Sequence, residues 1–160
     1  MTASAYDSVM QYIEHLADLP ALVGQEIAVT DWVTVTQEQV NQFAHATGDH
    51  QWIHVDVERA RASPLGTTIA HGFLTLSLLA RFFEMAVKIR DERMSLNYGL
   101  NKVRFPAPVP VGSRLRARVT LSACDALEEG GLQMTWGVVI EREGGDKPVC
   151  VAQSLTRSYA

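Results

Sequence analysis

Residues 71–90 read H-G-F-L-T-L-S-L-L-A-R-F-F-E-M-A-V-K-I-R, and this stretch is the strongest indicator of the fold. It has no proline and no glycine after Gly72, and its apolar residues cover nearly the whole circumference of a helix. That distribution predicts a buried helix rather than a surface helix. Because Arg81 and Glu84 interrupt the apolar run, it does not predict a membrane span.

The region after residue 95 alternates apolar and polar residues, as strands do. One predicted strand has Leu115, Ala117, Val119 and Leu121 on one face and Arg114, Arg116, Arg118 and Thr120 on the other. Two more cover residues 132–140 and 149–159, and glycine-containing turns join the three strands. Short connections imply an antiparallel sheet. The pattern predicts an α+β fold, with the sheet curled around the helix in a single domain of residues 1–160.

The first 50 residues contain shorter predicted elements. Apolar spacing indicates a helix over Ser8–Ala17, and β-branched residues indicate a strand over Ile27–Val35. Thr36 and Gln39 form a potential capping box for a second helix, and Gly48 stands where that helix would stop.

Charge and cysteine content limit the classes of function. The net charge of −4 argues against nucleic acid as a partner. The N-terminus shows no cationic start followed by an apolar run, so we predict no signal peptide. Cys124 and Cys150 lack metal-ligand spacing and are predicted to be reduced, which fits a cytoplasmic protein. Because one helix cannot cover both faces of a wide sheet, we expect self-association, most simply as a twofold homodimer.

A polar cluster, A-T-G-D-H-Q-W-I-H-V-D, occupies residues 46–56. Within it, Asp49 and His54 flank Trp52 and Ile53, which can anchor the segment on the core. If the segment folds back, the carboxylate and the imidazole can address one water molecule and both abstract and return a proton. The alternative is a polar turn in which Asp49 caps backbone amides and His54 has a structural role.

The start of the buried helix is a second candidate site. A helix N-terminus presents unpaired N–H groups, and Gly72 has no Cβ to keep a ligand carbonyl away from the backbone. Equally, Gly72 can be a glycine tolerated at a helix entrance, with His71 in the cap. The hydroxyl of Ser77 either reaches the pocket or bonds to the backbone one turn earlier.

Two other constellations give weaker indications. His45 and His50 could bind a metal together with His54, but no cysteine or carboxylate pattern supports zinc, so we predict no metal. The three arginines of the first predicted strand either meet phosphates, for instance of coenzyme A, or form a solvated strand face. The sequence has no nucleophile elbow and no phosphate-binding glycine motif.

Two motifs together resemble a known family. G-D-H-Q-W-I-H at residues 48–54, followed by I-A-H-G-F at residues 69–73, resembles the MaoC-like, or hydratase-2 type, (R)-specific enoyl-CoA hydratases. The segment N-Y-G-L-N-K-V-R-F-P-A-P-V at residues 97–109 resembles the strand after the central helix of these proteins. The resemblance extends from about residue 27 to the C-terminus. It implies a hot-dog fold, in which an antiparallel sheet wraps one long central helix.

The resemblance also implies an activity, the reversible hydration of a trans-2-enoyl thioester to the (R)-3-hydroxyacyl thioester. Asp49 and His54 match the catalytic pair, and Gly72 matches the glycine whose N–H binds the thioester oxygen. Substrate binding is assigned to Ser77, His71 and Gln51. No metal or redox cofactor is implied, since coenzyme A or the acyl-carrier pantetheine belongs to the substrate.

The motif departs from the usual family pattern at Gln51 and Trp52, where Asn and Pro are common. This form resembles a sub-branch that includes proteins similar to nodulation protein N. Two alternative functions stay open: a hot-dog acyl-CoA thioesterase, and a non-catalytic acyl-thioester binding subunit of a heteromeric dehydratase. The intact Asp49/His54 pair argues against the binding subunit.

Overall fold

A computed structural model describes residues 10–160, and its main layer is a six-stranded antiparallel sheet. The strands run in the order β2-β6-β7-β8-β5, with β3 beside β2 along β6. A separate parallel pair joins β1 to β4. The strand bounds are β1 Gln11–Ile13, β2 Glu26–Val29, β3 Val33–Thr34, β4 Val87–Ile89, β5 Met94–Arg104, β6 Arg114–Ala126, β7 Leu132–Arg142 and β8 Cys150–Tyr159.

The helices lie mostly between the short N-terminal strands and the long C-terminal ones. Their bounds are α1 Gln37–Thr47, α2 Trp52–Val55, α3 Val57–Arg61, α4 Gly72–Ser77 and α5 Leu79–Ala86, and a 3-10 helix covers Leu16–Leu22. The predicted capping box of Thr36 and Gln39 is present, and Gly48 ends α1. Within residues 10–160, none of these helices is long and apolar enough to cross a bilayer.

The central helix packs its apolar side against the sheet. α4 and α5 run on through Leu78, whose backbone is helical at φ −65° and ψ −11°. Leu79, Phe82 and Ala86 are buried in one core with the inward residues of β6 and β7. The predicted alternation of those strands is confirmed, and so is the hot-dog arrangement of a sheet around a central helix.

The helix is shorter and less enclosed than the sequence predicts. It ends at Ala86, and Val87–Ile89 forms β4 instead, because these residues pair with β1. In the single chain its outer face is open, and Phe73 is 70% exposed there.

The N-terminal elements also differ from the predictions. The predicted helix begins at Ser8, which lies outside the described residues. Gln11–Ile13 is a strand and not a helix, because β4 supplies its hydrogen-bond partner. The predicted strand Ile27–Val35 is broken after Val29. There the Thr30 hydroxyl accepts the Ala117 N–H at 2.9 Å, so a side chain replaces a ladder carbonyl and the strand is interrupted.

Candidate active site

The segment that carries Asp49 leaves α1 through a left-handed glycine. Gly48 has φ 79° and ψ 4°, a conformation that residues with a Cβ rarely adopt, and its N–H donates to the Ala44 carbonyl at 2.9 Å. Asp49 follows directly, and its side chain is 53% exposed. The Gln51 N–H donates to Asp49 Oδ1 at 3.3 Å. The turn therefore presents a carboxylate that still has acceptor capacity for a ligand.

His54 lies on α2 and is only 6% exposed. Its Nδ1 is 2.7 Å from the Ile69 carbonyl, which can only accept, so Nδ1 carries the hydrogen. In the neutral ring Nε2 is then an acceptor with a free lone pair. The Gln37 side-chain amide donates to the His54 carbonyl at 2.8 Å, and the Thr68 hydroxyl donates to Gln37 Oε1 at 2.5 Å. These bonds fix the backbone of His54 and anchor its ring at Nδ1.

His71 connects the two halves of the site. It is 3% exposed, and its ring stacks on that of His54 at 3.8 Å between centroids and 23° between planes. Its Nε2 is 3.0 Å from the Asp49 carbonyl oxygen and 4.0 Å from Asp49 Oδ2. The Phe43 ring packs near the His71 ring, with 4.9 Å between the two centroids. This placement favours contacts with Asp49 and His54 over the predicted contact with substrate.

The structure thus brings Asp49, His54 and His71 together, with one polar atom from each within 4.8 Å of the others. Carboxylate and imidazole groups can hold a cation, but two ring nitrogens here already face backbone carbonyls. His45 and His50 are exposed and, within residues 10–160, lie outside this group. The ligand set considered from the sequence is therefore not the one that the fold assembles.

Gly72 lines a cavity of about 320 Å³ together with His54, Thr75, Phe105 and Val109. It is the first residue of α4, so its N–H has no acceptor within the helix. A Cβ at this position would lie 3.1 Å from two ring carbons of Phe105, closer than side chains normally pack. The cavity therefore has an available backbone donor, a wall closely packed by Phe105, and an imidazole.

Ser77 and Gln51 are placed differently from the other predicted site residues. The Ser77 hydroxyl donates to the Phe73 carbonyl at 2.7 Å, the backbone bond considered as the alternative. Ser77 lines a neighbouring groove with Asn97 and Tyr98, rather than the cavity of His54 and Gly72. Gln51 is exposed, and its backbone carbonyl accepts the His54 N–H at 3.0 Å.

Sequence reasoning missed three residues that shape the site. Gln37 donates to the His54 carbonyl, Thr68 holds the Gln37 side chain, and Phe105 covers Gly72. Phe105 lies in the 97–109 segment that resembles the family, but nothing in its local sequence shows that its ring meets Gly72. Long-range contacts of this kind have no periodic signal in a single sequence.

The arginine stripe of β6 is neutralised by glutamates. Arg114 donates to Glu143, and Arg116 donates to Glu141, each at 2.9 Å. Arg118 donates to Glu141 at 2.9 Å and to Glu26 at 3.1 Å. Paired guanidinium groups make this surface a poor phosphate site and fit the interpretation of a solvated strand face.

The MaoC like domain family matches residues 18–142 of the sequence. The chain belongs to this family. Among its relatives, 3-hydroxyacyl-thioester dehydratase Z of Mycobacterium tuberculosis (strain ATCC 25618 / H37Rv) is 55% identical over 151 residues, covering 94% of this chain and 100% of the relative. Nodulation protein N of Rhizobium leguminosarum bv. viciae is 49% identical over 143 residues, covering 88% of this chain and 89% of the relative.

Solved structures show the same MaoC-like fold. An R-hydratase from Pseudomonas aeruginosa superposes with a TM-score of 0.67 at 22% identity, covering 86% of this chain and 81% of that one. The predicted family is confirmed, and so is the predicted similarity of this sequence to nodulation protein N.

Proposed function

We propose that this MaoC-like chain is a hydratase/dehydratase that interconverts a trans-2-enoyl thioester and the corresponding (R)-3-hydroxyacyl thioester. The observation that carries this proposal is the position of His54, which lies beside Asp49 and lines one cavity with Gly72. The 55% identity to a protein named as a 3-hydroxyacyl-thioester dehydratase, over its whole length, supports it.

The chemistry assigns a role to each of these groups. Asp49 and His54 hold one water between the carboxylate and the free Nε2 of His54, so a proton can leave the water as its oxygen bonds to C3. The pair then delivers a proton to C2, which gives the 3-hydroxyacyl thioester; dehydration is the reverse. The Gly72 N–H donates to the thioester oxygen and stabilises the negative charge that develops there during addition.

The reaction needs no metal or redox cofactor, because the carboxylate and the imidazole can carry out the proton transfers and the backbone N–H can stabilise the developing charge. Coenzyme A, or the pantetheine of an acyl carrier protein, enters only as part of the substrate. We expect turnover of the purified protein to be unchanged after dialysis against EDTA. A loss that Zn²⁺ or Mg²⁺ restores would contradict a metal-free site.

The test is an assay of purified protein with short trans-2-enoyl-CoA substrates. We expect loss of the conjugated enone absorbance without release of free thiol. Release of thiol at a comparable rate would select a thioesterase, and acyl-CoA binding without turnover would select a binding protein. A thiol reagent should give little background from Cys150, because burial raises the pKa of this thiol to about 11.

We also propose that the protein works as a homodimer that pairs through β5. This strand is the last of its sheet, so its outer edge has no neighbour within residues 10–160 of the chain. Four of its apolar side chains are 44–54% exposed: Met94, Leu96, Tyr98 and Leu100. A long apolar edge invites pairing with a second copy, and antiparallel pairing of two β5 strands would form a closed twofold dimer.

Light scattering coupled to gel filtration tests the dimer. We expect the mass of two chains for the unmodified protein and of one chain for the double variant Leu96→Lys/Leu100→Lys. The double variant Val23→Lys/Val57→Lys, at two other exposed apolar residues, is a matched control and should leave the dimer intact. A monomeric unmodified protein, or a dimeric β5 variant, would contradict this interface.

Both cysteines support the proposal of a cytoplasmic location. Cys124 and Cys150 are free and lie on β6 and β8. Unbridged thiols are typical of reducing compartments. Cell fractionation with a tagged chain tests this, and recovery in the culture medium or the cell envelope would contradict it.

A further inference from the structure

We propose that His71 is a positioning residue that holds Asp49 and His54 together for proton transfer. This inference rests on the proposed hydration, since it explains how the two proton-transferring groups stay aligned. His71 is 3% exposed, so its ring has almost no surface to offer a substrate. It acts instead through its two neighbours in the site.

The first contact is a hydrogen bond to the backbone of Asp49. His71 Nε2 lies 3.0 Å from the Asp49 carbonyl, an acceptor, so Nε2 must carry the hydrogen. Apart from this bond, few contacts hold Asp49. Its N–H is 3.4 Å from the Thr47 hydroxyl, and its half-exposed carboxylate accepts at 3.3 Å from Gln51. The bond from His71 is shorter and comes from the buried side, so it fixes the depth of Asp49 in the site.

The second contact is the stack on His54. The two rings lie 3.8 Å apart at 23°, nearly parallel. His54 can pivot about its Nδ1 bond to the Ile69 carbonyl, and a ring packed on its face limits that motion. The stack therefore sets the direction in which His54 Nε2 faces. One buried side chain controls both groups proposed to hold the water.

The other nitrogen of His71 shows that packing alone does not explain an imidazole here. Nδ1 is buried and has no hydrogen-bond partner within residues 10–160. A buried polar atom without a partner is destabilising, and a phenyl ring would fill similar space without that penalty. The imidazole is explained by its Nε2–H bond to Asp49.

Two variants separate the hydrogen bond from the stack. His71→Phe keeps a ring against His54 and removes the donor, whereas His71→Gln keeps an amide donor at similar reach and removes the ring. For His71→Phe we expect kcat to fall about 10- to 100-fold, as for other residues that orient a reacting group. KM should stay within about twofold, because His71 does not touch substrate. The Tm should stay within about 4 °C, because loss of the hydrogen bond is offset by removal of the unpartnered nitrogen. His71→Gln should have a higher kcat than His71→Phe.

A result in which His71→Phe keeps kcat within about twofold of the unmodified protein would overturn the proposal. The proposal would also be overturned if kcat fell in proportion to Tm, and to the same extent, in His71→Phe and His71→Gln. Lower stability alone would then explain both losses. Histidine nitrogen NMR of the unmodified protein gives a test that needs no variant to fold. We expect His71 as the Nε2–H tautomer, and the Nδ1–H tautomer would overturn the bond to Asp49. If the unmodified protein hydrates no enoyl thioester, the proposed function fails, whereas the NMR result still decides the His71 contact.

Discussion

The outer face of β6 and the entrance of α4 both collect charged and polar side chains, but they leave them in different states. On β6 each arginine donates to a glutamate, and Glu141 accepts from both Arg116 and Arg118. At α4, Asp49 is half-exposed, and Gly72 starts the helix with an N–H that the helix does not use.

The difference separates a structural cluster from a candidate catalytic one. Hydrogen-bonding capacity that the protein itself fills cannot serve a ligand, whereas unfilled capacity beside a cavity is available to a substrate or water. In the sequence both clusters are polar residues at short spacings, so spacing alone does not separate them. Changes to the α4 cluster should therefore alter catalysis, and changes to the β6 cluster should alter stability alone.

The largest effect is expected for Asp49→Asn. An amide cannot accept a proton as a carboxylate does, so kcat should fall by about 10³-fold or more while the circular dichroism spectrum stays unchanged. Asp56→Asn makes the same chemical change at the N-cap of α3, where Asn caps as well as Asp, and should stay active. Nearly full activity of Asp49→Asn would show that the roles are wrongly assigned.

A smaller loss is expected for Gly72→Ala. The added Cβ would come within 3.1 Å of the Phe105 ring and narrow the cavity, so kcat/KM should fall about tenfold. Stability should change little, because alanine is the better helix former and the Phe105 ring need shift by only a few tenths of an ångström. Adding Phe105→Leu should restore part of the activity. Enzyme kinetics and thermal melts of the same variants test this account. A fall in activity that is accompanied by a fall in Tm would contradict it.

On the other cluster, Arg118→Met should affect stability only. It removes the bonds to Glu141 and Glu26 but leaves Arg116 on Glu141, so the expected destabilisation is about 0.5–1 kcal/mol. Denaturant unfolding measures this value, and kinetics with enoyl-CoA should be unchanged. A rise in KM for coenzyme A thioesters would instead revive the interpretation of the stripe as a phosphate site.

The smallest effect is a pH dependence at Glu141. Burial alone would raise the pKa of this carboxyl, but hydrogen bonds from Arg116 and Arg118 outweigh it and hold the pKa below its usual range. A carboxyl with a lowered folded pKa contributes stability above its unfolded value of about 4.3, and loses it as pH falls through the folded value. The Tm difference between the unmodified protein and Glu141→Gln should therefore shrink below about pH 4. A difference that stays constant down to about pH 3 would contradict the shift.

Local patterns predicted the elements whose stability is itself local. The capping box at Thr36, the stop at Gly48 and the alternation of β6 and β7 each depend on residues a few positions apart, and each is confirmed. The predictions went wrong where a distant partner decides the conformation. Gln11–Ile13 and Val87–Ile89 are strands because they pair with each other across the fold. Neither segment shows this in its own pattern.

For the candidate site, the sequence by itself determined the family and identified the candidate reactive groups, through Asp49, His54 and Gly72 in two motifs. The tertiary structure decided how those groups are held. It placed His71 against both Asp49 and His54, brought Gln37, held by Thr68, to the His54 carbonyl, and set Phe105 over Gly72. The reason is that reactivity belongs to residue types, which a motif records, whereas alignment depends on contacts between segments far apart in the chain. Those contacts exist only once the sheet has closed around the helix.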